Sequence, residues 1–438
     1  MDFAHINAGF GIAVGRKRGA FVGRPCQKLK RISVIGLGYI GLPTAAMFAS
    51  RRLKVIGVDV NSAAVETINQ GRIHIVEPDL DIAVHAAVTG GWLRATTMPE
   101  PADAFLIAVP TPFKGSHHEP DLSLIEAAAR SIAPVLAPGN LVVLESTSPV
   151  GATEKLAEWL AEARPDLSFP QNAGMDSDVR VAHCPERVLP GRIMRELIEN
   201  DRVIGGLTPR CSEMAAKLYR LFVEGECVIT DARTAEMAKL AENSFRDVNI
   251  AFANELSIVC DHLGVDVWKL IALANRHPRV NILQPGPGVG GHCIAVDPWF
   301  VVASAPEQTR LIRTSREVND YKPSWVLQKV EDAMNAARPD ALIACYGLSF
   351  KPNIDDLRES PALSIASSLA EKYPGRVLAV EPNIHSLPAT LPNVRLVGLD
   401  EVQDVDVHLM LVDHRQFQRL PKPAGTLIDT RGIWTHTD

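Results

Sequence analysis

No CxxC pair occurs in this chain, no apolar run reaches the roughly 18 residues needed to cross a bilayer, and neither sign of charge dominates. The first absence removes the usual signature of a zinc ribbon or a dithiol redox centre, and no metal is expected. The seven cysteines stand at long, irregular spacings, and their odd number argues against a complete disulfide framework. They read as reduced thiols of a cytoplasmic protein, most of them small buried hydrophobes. The second absence predicts no membrane span. The third, 51 acidic against 45 basic residues for a net charge of −6, gives no support to a nucleic-acid binder. What is there is ordinary for folded domains: 46% apolar and 22% charged residues, which removes global disorder. A length of 438 residues exceeds the size at which single cores stop growing, so two or three domains are expected.

Residues 1–28 carry Arg16, Lys17, Arg18, Arg24 and Lys28 after the short apolar stretch Ala8–Gly15. A secretory signal has the opposite order. The segment reads as a flexible extension or a start-site artefact, with targeting as the alternative. From Lys30 onward, short apolar strands alternate with helical patterns. Strands are expected at 31–35, 54–59, 104–109, 141–144 and 179–183, with helices at 43–50, 62–69, 122–136 and 152–163. Nearly continuous apolar strands indicate a parallel sheet covered on both faces. A helical run of about nine turns, Ala232–Leu263, suits a spine joining two domains. A helix at 267–274 follows, then the Pro/Gly-rich loop His277–Gly291, expected to be ordered only by ligand or partner contacts. A helix around 308–319 leads to a second α/β pattern, with strands at 341–346, 376–380, 407–411 and 427–429 and a helix at 361–369. The expected fold is α/β: two Rossmann-like parallel-sheet domains joined by a long central helix. The expected division is a 1–28 extension, a 29–225 dinucleotide domain, a 226–319 central helical segment with the reactive loop, and a 320–438 domain.

Gly36-Leu-Gly38-Tyr39-Ile40-Gly41 is a GxGxxG fingerprint with a strand before it and a helix after it. The glycines give a tight turn, close backbone approach to a pyrophosphate and close helix–strand packing, and the helix N-terminus offers free N–H groups. Asp59 stands 23 residues after Gly36, where a carboxylate accepts bonds from ribose hydroxyls and repels a ribose phosphate. That favours NAD over NADP. Thr111 and Thr147 follow strands and are candidates for the nicotinamide end or an ordered water, with plain turn chemistry as the alternative.

Gly288-Val-Gly-Gly-His-Cys293-Ile-Ala-Val-Asp297 sets a cysteine behind packed glycines, where neighbouring N–H groups can stabilise a thiolate or an oxyanion. The bland alternative is a buried thiol beside a loop. Cys184 is the rival thiol, but its place after an apolar strand reads as structural. Lys239 and Asn243 share one face of the long helix, Lys239 in an apolar setting suited to a catalytic amine. A solvent-facing lysine is the alternative. A thiol beside a dinucleotide permits a specific chemistry. Hydride loss from an alcohol gives an aldehyde, the thiolate captures it as a thiohemiacetal, a second hydride loss gives a thioester, and water releases a carboxylate.

Four longer motifs complete the pattern: His183–Gly191, Asn275–Asn281, Pro285–Phe300 and Phe350–Pro361. With them the chain resembles the nucleotide-sugar 6-dehydrogenases, which include the UDP-glucose and GDP-mannose enzymes, over nearly all of Lys30–Trp434. The resemblance implies an N-terminal NAD domain, a central dimerising segment, a C-terminal domain for the UDP part, and four-electron oxidation at the sugar C6. It implies that Cys293 is the nucleophile, that Lys239 and Asp297 assist proton transfer, and that Asn243 positions the intermediate. It further implies that Thr147 places a water, that Glu186 assists thioester hydrolysis, and that Lys351 meets the substrate nucleotide. Arg358 would reach the cofactor, and Arg279 would reach the substrate of a neighbouring subunit in a homodimer. Where UDP-glucose enzymes carry a second acid and a lysine, this chain has Pro190 and Val296. Those departures match the N-acetylhexosamine branch, in which Arg187 contacts substrate. UDP-N-acetyl-D-mannosamine (UDP-ManNAc) is the expected substrate, with UDP-N-acetyl-D-glucosamine as the alternative, because one epimeric centre is selected by few contacts.

Other classes fit less well. An NAD-dependent epimerase wants a YxxxK pair, which none of Tyr39, Tyr219, Tyr321, Tyr346 and Tyr373 provides. A nonenzymatic nucleotide-binding protein would leave Cys293, Lys239, Asp297, Lys351 and Arg358 without a task.

Overall fold

The computed structural model describes residues 29–115, 118–291 and 293–434; the expected extension at 1–28 lies outside them. The first sheet contains β1 (Arg31–Ile35), β2 (Lys54–Val58), β3 (Leu93–Thr96), β4 (Ala104–Ile107), β7 (Leu141–Leu144), β8 (Arg180–His183), β9 (Arg202–Gly206) and β10 (Cys227–Asp231). A small hairpin, β5 (Phe113–Lys114) with β6 (Glu119–Pro120), stands outside it. The strand order is β10-β9-β8-β7-β4-β1-β2-β3. Every pairing is parallel except β8–β9, where Ala182 faces Gly206.

The period-two alternation of each strand feeds both faces. Ile32, Val34, Leu106 and Val143 pack on one side with Leu42 and Phe48 of helix Gly41–Ser50. Phe105, Ile107, Val142 and Leu144 pack on the other with Ile125, Leu156 and Leu160. Fully buried side chains of this size each contribute about 1.5–3 kcal/mol. β3, β9 and β10 escaped the sequence reading: β3 and β10 are short edge strands with exposed positions, and β9 is a short strand that opens on a buried arginine and ends in two glycines. β10 also joins the first sheet, although it lies beyond residue 225.

The chain leaves β1 towards β2 and β3, then returns to β4 and runs the other way. The resulting switch point lies between β1 and β4, and a crevice opens there beyond the strands' carboxyl ends.

The spine helix Ala232–Leu263 has the bounds read from sequence. Asp231 caps it by accepting from the Thr234 N–H at 2.9 Å, and Gly264 ends it at φ 66°. Against it lies a crossover helix, Arg310–Ala336. This helix is far longer than the 308–319 read from sequence, because Pro323 looks like a stop. The proline forfeits only one backbone donor, and burial of Val326, Val330 and Met334 carries the helix onward. It therefore runs unbroken through the boundary expected near 320. The seam between the two helices is polar: Arg316 pairs with Asp247 at 2.6 Å, and the Asn254 amide donates to Asn319 at 2.9 Å.

The second sheet contains β11 (Ile343–Tyr346), β12 (Val377–Val380), β13 (Val394–Leu396), β14 (Val407–Met410) and β15 (Thr426–Asp429). Its order is β13-β12-β11-β14-β15, all parallel. Its switch point, between β11 and β14, faces the loop 347–360.

The 277–291 loop makes contacts within the chain. The Gly286 N–H donates to Asn254 of the spine at 2.9 Å. A Cβ on Gly290 would stand 2.5 Å from the Glu359 carbonyl oxygen, so only glycine lets the loop lie against the second domain.

Candidate active site

At the first switch point a Cβ on Gly41 would lie 1.8 Å from the Gly36 carbonyl oxygen, and Gly36 itself turns at φ 90°. A Cβ on Gly38 would meet nothing within 4 Å, which is the open approach a pyrophosphate needs. The helix Gly41–Ser50 has no side-chain cap at Ile40; the Leu42 N–H donates to the Gly38 carbonyl at 3.1 Å and Pro43 has no N–H, so the Gly41 N–H is the one that can meet a ligand. Asp59 accepts from the Leu37 N–H at 2.8 Å and the Asn61 N–H at 2.9 Å. Those bonds fix the carboxylate beside the glycine turn, and each oxygen keeps a lone pair for a ribose hydroxyl. The Thr111 hydroxyl is buried with no partner among the described residues. The Arg358 guanidinium lies 5.1 Å from the Tyr39 ring centroid, so the second domain reaches the glycine loop. Asp356 holds that guanidinium in a fork at 2.9 and 2.6 Å. These residues fit NAD.

The reactive group lies between the 277–291 loop and helix Asp297–Ser304. Cys293 is exposed, and its carbonyl accepts from the Asp297 N–H at 2.8 Å, placing the thiol just ahead of helix Asp297–Ser304. Crowding by the cleft walls, then Asp297, pushes the thiol up from its ordinary value; Lys239 and Arg246 pull it down. Asp297 is buried and accepts from the Asn243 amide at 2.5 Å. Burial pushes its carboxyl up to about 6, against the pull of Asn243 and Lys239. A proton can therefore rest on Asp297 or leave it near neutral pH. Lys239 is half-buried one turn below Asn243. Leu240 packs with Phe300, Val301 and Val150, which locks the spine, the short helix and the β7 loop into one unit.

Thr147 is half-buried in that β7 loop, and a residue that sequence reasoning missed anchors it. Glu236 is 1% exposed and accepts from the Gly151 N–H at 2.6 Å, the Thr153 N–H at 2.8 Å and the Thr153 hydroxyl at 2.6 Å. It stands three residues before Lys239, so one helix face carries both the clasp and the amine.

Glu186 is buried, with one oxygen on Arg202 at 2.6 Å and the other accepting from the Arg187 N–H at 2.7 Å. Next to it in the fold is a second buried acid. Glu145 accepts from the Tyr219 hydroxyl at 2.5 Å, and burial pushes its carboxyl up to about 7. Cys184 is fully buried in the same cluster, its thiol pushed far up by desolvation. Arg187 lies in a fork on Glu242 of the spine, at 3.0 and 2.6 Å. Lys351 is half-buried at the mouth of the second crevice, and Arg279 is exposed on the 277–291 loop. Cys293, Asp297, Asn243 and Lys239 thus converge, while Arg279 stands apart from them. Arg246 was also missed; its spacing from Lys239 and Asn243, one helical face, was the available signal.

Comparison with known proteins agrees with this arrangement. The UDP-glucose/GDP-mannose dehydrogenase family matches in three parts: its NAD binding domain at residues 30–223, its central domain at 233–321 and its UDP binding domain at 344–436. The chain is 65% identical over 410 residues to an NDP-N-acetyl-D-galactosaminuronic acid dehydrogenase of Ralstonia nicotianae, covering 93% of this chain and 96% of that one. It is 64% identical over 415 residues to a UDP-N-acetyl-D-mannosamine dehydrogenase of Escherichia coli, covering 92% and 99%. A solved structure of UDP-D-ManNAc dehydrogenase from Pyrococcus horikoshii superposes with TM-score 0.83 at 39% identity, covering 93% and 96%. The chain belongs to the UDP-glucose/GDP-mannose dehydrogenase family and is an NAD-dependent dehydrogenase.

Proposed function

We propose that the enzyme oxidises the C6 hydroxyl of UDP-ManNAc to the carboxylate, giving UDP-N-acetyl-D-mannosaminuronate. The observation that carries the reading is the convergence of Cys293, Asp297, Asn243 and Lys239 beside the loop after β7. NAD, when bound, accepts hydride from the sugar carbon. Asp59, the glycine turn and Thr111 would hold it, with Arg358 reaching it from the second domain.

The alcohol proton leaves to Lys239 or Asp297 as the first hydride departs. The Cys293 thiolate then attacks the aldehyde, and Asn243 with Lys239 steadies the oxyanion of the thiohemiacetal. Loss of the second hydride gives a thioester. A water placed by Thr147 cleaves it, with Glu186 among the groups that organise that water. The sum is one alcohol, two NAD and one water giving one carboxylate, two NADH and three protons.

The UDP part lies towards the second sheet, with Lys351 at its phosphates and Arg187 on the sugar side. The spine helix exposes Phe245, Phe252 and Val259 at seven-residue spacing, a stripe that a second copy covers in a homodimer, and Arg279 reaches the partner's substrate. No helix among the described residues is long and apolar enough to cross a membrane. A cytoplasmic location suits a substrate and cofactor found there.

A second reading follows from the Ralstonia relative, whose name specifies the galacto sugar. Side-by-side kinetics with UDP-ManNAc, UDP-N-acetyl-D-galactosamine, UDP-N-acetyl-D-glucosamine and UDP-glucose separate the two. The expected result is the highest kcat/KM for UDP-ManNAc and two NADH per uronate. One NADH with release of aldehyde refutes the four-electron reading.

A further inference from the structure

The seam between the spine and the crossover helix holds a chain of buried polar side chains that ends on the loop before the thiol. Arg316 pairs with Asp247 at 2.6 Å, Asp247 accepts from the Asn319 amide at 2.8 Å, and Asn319 accepts from the Asn254 amide at 2.9 Å. Asn254 in turn accepts from the Gly286 N–H at 2.9 Å. All four side chains are buried, and so is Gly286. A carboxylate only accepts, so Asp247 fixes the Asn319 amide with its NH2 group towards the acid. That turns the Asn319 oxygen to Asn254, and the Asn254 oxygen to the loop. An apolar seam would join the two helices without burying an ion pair, but it would offer no acceptor to a buried backbone N–H.

The same face of the spine holds the other end of the segment, where Asn243 donates to Asp297 at 2.5 Å. Asn243 and Asn254 are eleven residues apart, three turns of helix, so they share a face and stand about 16 Å apart along the axis. Gly286 and Asp297 are also eleven residues apart, a stretch of chain that reaches about 36 Å when extended. The segment is therefore slack between its two holds, and Cys293 lies inside it. Between them it turns away from the spine. A Cβ on Gly288 would stand 3.0 Å from Pro323 and Pro361, and the Gly291 N–H donates to the Glu359 carbonyl at 3.3 Å.

Resting on the reading above, we propose that Asn254 is a positioning residue of the oxidation. With Asn243 it pins both ends of the Cys293 segment to the spine that carries Lys239, and the chain back to Arg316 keeps its oxygen aimed at Gly286. Buried in the seam, Asn254 touches neither substrate nor cofactor. It sets the place of the thiol against the amine, so its loss acts on the steps that need both and leaves the binding of NAD and UDP intact.

The test compares Asn254→Ala with Asn254→Asp in the full-length enzyme. The quantities read are kcat and KM with UDP-ManNAc, the rate at which iodoacetamide alkylates Cys293, followed by mass spectrometry, and the urea midpoint of unfolding. In Asn254→Ala kcat should fall about ten- to a hundredfold while KM for UDP-ManNAc and NAD stays within about threefold. Alkylation should speed up about fivefold or more as the thiol leaves its crowded place. Asn254→Asp keeps the acceptor for Gly286 and loses the bond to Asn319. It should recover most of kcat and the native alkylation rate, although its urea midpoint falls as far as that of Asn254→Ala.

A native kcat in Asn254→Ala overturns the proposal. So does a loss of kcat in both variants that follows their loss of stability, the result for a seam that only joins helices. If Asn254→Ala fails to bind NAD, Asn319→Ala tests the chain one link back. It frees the Asn254 amide to turn, so alkylation should quicken and kcat fall about threefold, and no change in either overturns the pin. A wild-type enzyme that oxidises no UDP-ManNAc would refute the proposed function, and the alkylation rates of the variants would still decide the pin. Two NADH per uronate in the wild type, with unchanged alkylation and kcat in Asn254→Ala, would do the reverse.

Discussion

Glu145 gives the sharpest test of the buried cluster beneath the site. Its carboxyl is 2% exposed and is held up to about 7 from 4.5 by desolvation, then lowered by the Tyr219 hydroxyl, raised by Glu186 and lowered by Arg202. Cys184, the other titratable neighbour, stays neutral. In the unfolded chain Glu145 loses its proton near the ordinary value, whereas the folded protein keeps it until about pH 7. Folding therefore takes up a proton between these values, and stability falls as pH rises through that window. The whole effect is about 3 kcal/mol, most of it between pH 5 and 8.

Glu145→Gln has no proton to exchange. Its amide oxygen still accepts from Tyr219, while its NH2 group adds a pH-independent cost of about 1–3 kcal/mol. Urea unfolding of the full chain and of the variant, each at pH 5, 6, 7 and 8, should show the variant gaining about 2–3 kcal/mol on the native protein over that range. Comparing the two at each pH cancels other groups, such as His183, which is pushed down to about 3. Two stability curves that stay parallel from pH 5 to 8 would refute the reasoning.

Cys293→Ala should lose uronate formation by a factor of about a thousand or more while NAD binding and fold persist, because every other thiol among the described residues is buried. Product analysis with a single-turnover assay checks it, and a normal uronate yield would remove Cys293 from the chemistry. Glu236→Ala strips three bonds from the start of helix Ala152–Ala163, leaving buried donors without an acceptor. Stability should drop by about 2–4 kcal/mol and kcat by about tenfold, with UDP affinity unchanged, since the clasp acts through the Thr147 loop. Calorimetric UDP binding and steady-state kinetics decide it; an unchanged kcat would show that the clasp is only structural.

The parts legible in sequence were those carried by local rules. The glycine turn, Asp59 at the end of β2 and the spine's bounds follow from spacing, caps and periodicity, which act within a few residues. The motif cysteine stood out too, behind its packed glycines, and the structure leaves it exposed. The crossover helix was not, since a proline is a local stop that burial in another domain overrides.

Neither could the sequence pair Glu236 with Gly151, Glu186 with Arg202 or Glu145 with Tyr219. Each pair joins residues 16 to 85 positions apart, and nothing in the local pattern says which buried charges will share a low-dielectric site. Local chemistry thus determined which residues can react. The tertiary structure decided which of them meet, because charge and burial act through space and not along the chain.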